Sequence, residues 1–380
     1  MAHLLGAENI VVSFPTKDVF DGITVGVNDG DRIGIVGRNG DGKSTLLKLL
    51  AKRFEPDEGK VTYRGGLRVG LLDQADRIDE SLTIGTAVVG DVEEYVWASN
   101  PKVRDVIGGL LNDLDWNQTV GSLSGGQRRR VALAALLVQD LDVVLLDEPT
   151  NHLDVEGVAW LARHLNERWS ASAGGLIVVT HDRWFLDAVC NYTWEVYGGK
   201  IEPFEGGYAA YILQRNERDN DAAATETRRR NLLRKELAWL RRGAPARTSK
   251  PKFRLDAASE LIAGEPEPRD RVALSKLATA RLGKDVIDVE SVDYAIDGRR
   301  LLNQVTWRLG PGDRVGLVGV NGAGKTTLLR LITGQLQPAS GRVKRGKTVK
   351  IAVLSQDVSE LDEFHGERIH NLISRERAFF

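Results

Sequence analysis

The sequence predicts an α/β fold in which one strand, glycine-rich turn and helix are written twice. Three observations predict it. Gly37-Arg38-Asn39-Gly40-Asp41-Gly42-Lys43-Ser44 and Gly319-Val320-Asn321-Gly322-Ala323-Gly324-Lys325-Thr326 both fit G-x-x-x-x-G-K-[ST]. The copies keep one offset, 282 residues, from Asp31 and Asp313 through Val61 and Val343 to Gln74 and Gln356. A chance match does not hold register that far. Between the copies the strand signals vanish and arginines accumulate.

In the first copy, Arg32 to Val36 is a short apolar strand entering the turn. Ser44 to Leu50 carries leucines at helical spacing. The second copy repeats both, with a strand predicted over Arg314 to Val318 and a helix over Thr326 to Ile332. Val143 to Leu146 and Leu176 to Thr180 are continuous apolar runs closed by polar groups, the pattern of buried parallel strands. The division expected is a first domain over 1–207, a linker over 208–284, and the N-terminal part of a second domain over 285–380.

The linker has its own composition. Arg228, Arg229, Arg230, Arg234, Lys235, Arg241 and Arg242 crowd one predicted helix, and Leu233, Leu237 and Leu240 give it an apolar stripe. Gly243-Ala244-Pro245-Ala246 breaks it; Arg247, Lys250, Lys252 and Arg254 follow, and Leu255 to Ala263 reads as helix again. The reading is a helical hairpin with a basic tip. Two uses are open: a solvated spacer, or a surface for a phosphate-rich partner.

Bulk composition sets wide bounds. With 380 residues, 42% hydrophobic and 28% charged, the chain has room for two or three domains and reads as soluble. The longest apolar candidate, Val131 to Val138, falls far short of the roughly 18 residues of a membrane span. Met1 to Gly6 lacks the basic start and apolar stretch of a signal peptide. A single cysteine, Cys190, excludes an internal disulfide framework. The compartment expected is the cytoplasm.

The chemistry sits at the ends of strands. The glycines let backbone N–H groups converge on one pair of phosphates, and the following helix adds its positive end. Lys43 supplies a charge to the β and γ phosphates, and Ser44 a hydroxyl to magnesium. Asn39, Gly40, Asp41 and Thr45 complete this loop. Gly319, Asn321, Gly322, Ala323, Gly324, Lys325, Thr326 and Thr327 repeat it, with Thr326 as the second metal ligand. Asp147 and Glu148 close an apolar strand. Two adjacent buried acids are costly without a cation, so Asp147 is assigned to the metal shell and Glu148 to a general base. His181 closes another strand, placed to reach γ-phosphate or water.

In order, Gly37 to Ser44, Gln74, Leu123-Ser124-Gly125-Gly126-Gln127, Asp147-Glu148 and His181 resemble the nucleotide-binding domain of the ATP-binding-cassette family, a P-loop NTPase fold with a mixed sheet and helices. The match runs over about Leu4 to Gly207 and part of Asp285 to Phe380. The resemblance implies ATP and Mg2+ as ligands, Gln74 and Gln356 sensing metal and γ-phosphate, and Phe14 and Tyr294 stacking on adenine. It also implies that Ser124, Gly125, Gly126 and Gln127 face a phosphate loop on another cassette.

Glu148-Pro149-Thr150-Asn151-His152-Leu153-Asp154 resembles the ABC-F class, soluble tandem cassettes that act on ribosomes. That class carries a basic helical linker directed at the P-site tRNA. Glu236 to Gly243 looks like the linker of its translation-factor side. The resemblance thus implies a ribosomal partner, rRNA and tRNA through the linker, in translation or antibiotic resistance. Two other readings stay open: an ATPase subunit of a transporter with separate membrane chains, and an ATPase that binds DNA structures.

The second loop has no following Leu-Ser-Gly-Gly-Gln and no sequel like Val143-Val144-Leu145-Leu146-Asp147-Glu148 before Phe380. The first site would lack an opposing signature, and the second a base. The second copy would also leave an apolar sheet edge uncovered. The expectation is a piece of a longer protein; if the chain is naturally this short, a homodimer would set Ser124 of one copy against Lys43 of the other.

Overall fold

The computed structural model describes residues 2–15, 17–73, 78–218, 286–296, 298–320, 322–346 and 349–354. They fall in two compact units, one within 1–267 and one within 268–380.

In the first unit, β1 (His3–Phe14) pairs antiparallel with β2 (Lys17–Asn28) and with β4 (Glu58–Tyr63), making a three-stranded sheet. Between β2 and β4 run β3 (Arg32–Gly37) and α1 (Lys43–Leu50). The chain continues through β5 (Val69–Leu72), α2 (Ile84–Val89), α3 (Glu94–Ala98), α4 (Pro101–Leu110) and α5 (Gly125–Leu137). Then come β6 (Val143–Asp147), α6 (Val155–Glu167), β7 (Gly175–Val179), α7 (Arg183–Val189), β8 (Tyr192–Tyr197) and β9 (Lys200–Glu205).

A second, six-stranded sheet has the order β5-β6-β7-β3-β8-β9, parallel except for the last pair. Its strands alternate between two cores, as side chains of period two must. Val143, Leu145, Ile177, Val179, Ile33 and Ile35 face α1 and the antiparallel sheet. Val144, Leu146, Leu176 and Val178 face α5, α6 and α7. Because both faces are covered, these strands read as unbroken apolar runs. Each fully buried aliphatic side chain contributes about 1.5–3 kcal/mol.

Residues 208–218 form a helix, α8, that packs on the first unit, with Tyr211 buried edge-on against Phe204. The stretch expected to open the linker at 208 thus starts as part of the first unit. The basic residues from Arg228 to Arg254 lie outside the described residues.

The second unit holds β10 (Ile287–Ile296), β11 (Arg299–Leu309), α9 (Lys325–Thr333) and β12 (Ser340–Arg345). The three strands form a sheet of order β11-β10-β12, the counterpart of β2-β1-β4, and a small core gathers Val289, Val292, Leu302, Leu331 and Ile332. The strand predicted over Arg314 to Val318 does not form. Its counterpart β3 is hydrogen-bonded on both sides, by β7 and β8. Among the described residues of the second unit nothing pairs with 314–318, and a strand without ladder partners has nothing to fix it. Val315, Leu317 and Val318 are exposed, Val318 at 79%. Among the described residues no helix is long and apolar enough to cross a membrane.

Candidate nucleotide-binding site

Four parallel strands end side by side. Ile35 and Asp147 both stand opposite Val179, and Gly37 stands opposite Val196. The carboxyl ends of β3, β6, β7 and β8 therefore deliver the glycine loop, Asp147-Glu148, Thr180-His181 and Val196-Tyr197 to one edge. Open α/β sheets bind ligands at such an edge.

The loop closes on itself. Gly42 is the N-cap of α1 at φ +96°, and a Cβ there would stand 2.3 Å from a Val19 methyl. Only glycine meets both conditions. The Lys43 ammonium donates to the carbonyls of Gly37 and Arg38 at 2.9 and 3.0 Å, so its charge lies inside the ring of loop atoms. Lys17 braces the loop from outside, donating to the Gly40 carbonyl at 3.0 Å and pairing with Asp41 at 3.5 Å. Asp41 also accepts the Arg38 N–H at 3.0 Å. Its carboxylate thus shapes the loop.

The second loop repeats this geometry. Gly324 caps α9 at φ +92°, and Lys325 donates to Gly319 and Val320 at 2.6 and 2.8 Å. The Ala323 N–H closes on Val320 at 3.2 Å. Thr326 and Thr327 stand in the first turn of α9. Asn321 lies outside the described residues, as do Gln74 and Gln356.

The acid half is buried. Asp147 is 1% and Glu148 7% exposed. Burial pushes the Asp147 carboxyl up, with the nearby Asp73 adding to it and the Ser44 hydroxyl, which hydrogen-bonds the carboxylate, pulling the other way. One oxygen, Oδ1, is buried without a hydrogen-bond partner. A buried acceptor left so costs about 1–3 kcal/mol. A hard divalent cation held by oxygen ligands would satisfy it, so Ser44 and Asp147 fit magnesium.

Glu148 holds φ +50°, in the left-handed region that non-glycine residues rarely adopt. Such strain collects at functional sites. Burial pushes its carboxyl up as well, opposed by His181 and by hydrogen bonds from the His181 N–H and the Thr180 hydroxyl. His181 Nε2 stands 3.5 Å from Glu148 Oε1, and the imidazole is largely exposed.

A groove of about 690 Å³ gathers Phe14, Asn39, Gly40, Gly42, Lys43, Ser44, Thr45, Asp147, Glu148 and His181. Phe14 is 44% exposed at its rim, against Phe54 at 6.1 Å between ring centres. Tyr294, expected to play the same part, packs half-buried against the second core. At the 282-residue offset Phe14 falls on Ile296, equally exposed at 44%, while Tyr294 falls on buried Val12. The residue two places inward on the strand turns to the core.

Ser124 to Gln127 do not line that groove. Ser124 is the N-cap of α5 in a capping box: its hydroxyl accepts the Gln127 N–H, and the Gln127 side chain accepts the Ser124 N–H at 2.9 Å. Gly125 opens the helix in an exposed position, where unpaired N–H groups favour an anion.

Two groups of residues in this region carry no motif. Arg129 donates to the backbone carbonyls of Asp73 and Asp147, tying α5 to the ends of β5 and β6, while Lys48 pairs with Asp73 at 3.0 Å. The run Arg128-Arg129-Arg130 after Gln127 was the only trace in sequence. Glu195 on β8 is 5% exposed and anchors α8: it accepts the Tyr211 hydroxyl at 3.0 Å and pairs with Arg215 at 3.0 Å and Arg218 at 3.2 Å. Glu195 stands opposite Val36, one residue before the glycine loop.

The family model described as ABC transporter matches residues 20–151 and 302–372. Over 399 aligned residues the chain is 37% identical to an uncharacterized ABC transporter ATP-binding protein, YfmR, of Bacillus subtilis, covering 94% of this chain and 62% of that protein. It is 34% identical to the energy-dependent translational throttle protein EttA of Haemophilus influenzae, covering 92% and 69%. To EttA of Mycobacterium tuberculosis it is 35% identical, covering 91% and 68%. The chain thus spans 62% of the first relative's length and little more than two thirds of the other two.

Proposed function

Because the chain belongs to the ATP-binding-cassette family, and within it to the ABC-F branch, we propose that it binds and hydrolyses ATP and couples nucleotide state to ribosome binding, as a translation factor. The observation that carries the enzymatic part is the buried Asp147-Glu148 pair set beside His181 and the Lys43 loop at one sheet edge.

Each residue has a physical task. Lys43 and the loop N–H groups bind the β and γ phosphates, and the positive end of α1 adds to them. Ser44 and Asp147 would hold magnesium, which when bound would neutralise phosphate charge. Glu148 accepts a proton from the attacking water; its raised pKa brings it nearer the working pH, where a base is most effective. His181, at 3.5 Å from Glu148, orients that water or the γ-phosphate. Phe14 offers its exposed ring to adenine. The capped N-terminus of α5, with Ser124 and Gly126, offers its N–H groups to a nucleotide phosphate carried by another cassette. The loop of Lys325 and Thr326 binds nucleotide in the same manner.

The ribosomal part rests on the relatives named as translational throttle proteins and on the arginine-rich linker sequence. Phosphate contacts by such residues supply affinity without reading sequence. The test is sedimentation of the Glu148→Gln protein with ribosomes in ATP and in ADP. Pelleting in ATP alone, weakened by charge reversal at Arg241 and Arg242, is the expected result. Equal pelleting in both nucleotides would remove the coupling to nucleotide state, and none in either with ATP binding intact would remove the ribosomal reading.

A further inference from the structure

A second cavity, of about 400 Å³, adjoins the nucleotide groove, and Lys43 and His181 line both. It opens between the glycine loop, the end of β8 and α8. Its wall carries Arg38 and Arg183 beside Tyr197 and Tyr208. The Arg38 guanidinium lies 5.8 Å from the Tyr197 ring centre, and that of Arg183 lies 5.2 Å from Tyr208.

The charge balance of this chamber is one-sided. It also contains two acids, Asp41 and Glu195. Glu195 is neutralised by Arg215 and Arg218, and Asp41 is engaged by Lys17 and the Arg38 N–H. Arg38 and Arg183 form no ion pair among the described residues. Lys43 donates its hydrogen bonds to carbonyls and forms no ion pair among the described residues. Two guanidinium groups and an ammonium line a cavity whose own two carboxylates are both engaged by other groups. Such a place favours an anion, and guanidinium forks fit a tetrahedral oxyanion.

We infer that this chamber is a second oxyanion site, which receives inorganic phosphate after its cleavage from the nucleotide and holds it on the way to solvent. The inference rests on the hydrolytic reading above. Phosphate leaving the γ position touches Lys43 and His181 first, and those two residues are the threshold of the chamber. Arg183 follows His181 by two residues, so the side chain that faces γ-phosphate and the one that receives the product are set by the same turn after β7. Arg38 and Arg183 are exposed, which leaves an outlet.

The test uses the full chain saturated with Mg-ADP, titrated with inorganic phosphate and followed by phosphorus NMR line broadening. Saturable binding is expected, weakened roughly tenfold by Arg183→Ala and by Arg38→Ala, the scale of one hydrogen bond to a charged group. Arg183→Lys should recover most of it, and ADP affinity should stay unchanged in the Arg183 variants, which reports that the fold is intact. Phosphate should still bind when ADP is replaced by a non-hydrolysable ATP analogue, because the chamber lies beyond the γ position. Binding that the analogue abolishes, or that Arg183→Ala leaves untouched, overturns the proposal. Cleavage measured on acid-quenched samples separates the two readings. A chain that cleaves ATP but binds no phosphate there sinks the chamber alone; one that binds phosphate but never cleaves sinks the product assignment together with the hydrolytic reading.

Discussion

The two glycine loops have nearly the same shape and different surroundings. Gly42 and Gly324 cap their helices within a few degrees of each other in φ, and Lys43 and Lys325 fold onto the same pair of carbonyls. Yet Lys43 is buried beside Asp147 and Glu148, at the end of a strand paired on both sides. The residues leading into the second loop are exposed and unpaired among those described. The loop's shape is local, set by glycines and a helix start within a few residues. The acid half is not local: β6 and β7 bring it from far along the chain, and it exists only where the parallel sheet forms.

If that difference separates binding from cleavage, Glu148→Gln should turn the first site into a likeness of the second. ATP hydrolysis should fall by roughly 10²–10⁴-fold, the range a positioned base contributes, while nucleotide affinity holds. Phosphate production and equilibrium nucleotide binding on the same preparation would read both. Undiminished turnover would mean that the base lies elsewhere, and the contrast between the loops would lose its chemical meaning.

The same substitution placed in both loops sharpens the comparison of their walls. Gly42→Ala meets left-handed backbone strain and a Val19 methyl at 2.3 Å; Gly324→Ala meets the strain, but its nearest neighbour is at 3.5 Å. Strain costs roughly 1–2 kcal/mol in each, and overpacking adds about 1–3 kcal/mol in the first alone. Amide hydrogen exchange in α1 and α9 would report each cost separately. Equal losses would mean that the hairpin gives way around Val19 and that the first loop is no more tightly walled than the second.

This asymmetry also sets how much was legible in advance. The loops, the helices after them, the buried strands ending in Glu148 and His181, and the signature after Leu123 could be read because each is a contiguous pattern. The strand over Arg314 to Val318 was misread because its composition matches β3, and composition does not reveal whether partners are there to hydrogen-bond it. Tyr294 lies two residues from Ile296, the exposed counterpart of Phe14, and the shift in pairing between Tyr294 and Ala295 leaves no trace in composition. The roles of Arg129, which sits in the run Arg128-Arg129-Arg130, and of Glu195 could not be read. Their partners, Asp73, Asp147, Tyr211 and Arg215, come from other elements, and neither a short arginine run nor a single glutamate names its partners.

The smallest effect expected concerns the cost of holding the acid half ready. The Glu148 carboxyl titrates higher in the folded chain than in the unfolded one, because burial disfavours its charge. The folded state then binds a proton more tightly. Glu148 contributes its full stability below the unfolded carboxyl pKa of about 4.3. That contribution is lost as pH rises through the folded value. Glu148→Gln keeps an oxygen acceptor for Thr180 and the His181 N–H but never charges. At pH 7 it should therefore raise the melting temperature of the nucleotide-free protein. A gain of about 1 kcal/mol, the low end for relieving an underpaired buried group, corresponds to roughly 2–4 °C in a unit of this size. Repeated near pH 4, most of the gain should vanish, since the wild-type carboxyl is then largely protonated in both states. A gain that persists unchanged at pH 4 would mean that the substitution relieves the left-handed backbone at Glu148 and not its charge, and the first site would then differ from the second in strain more than in electrostatics.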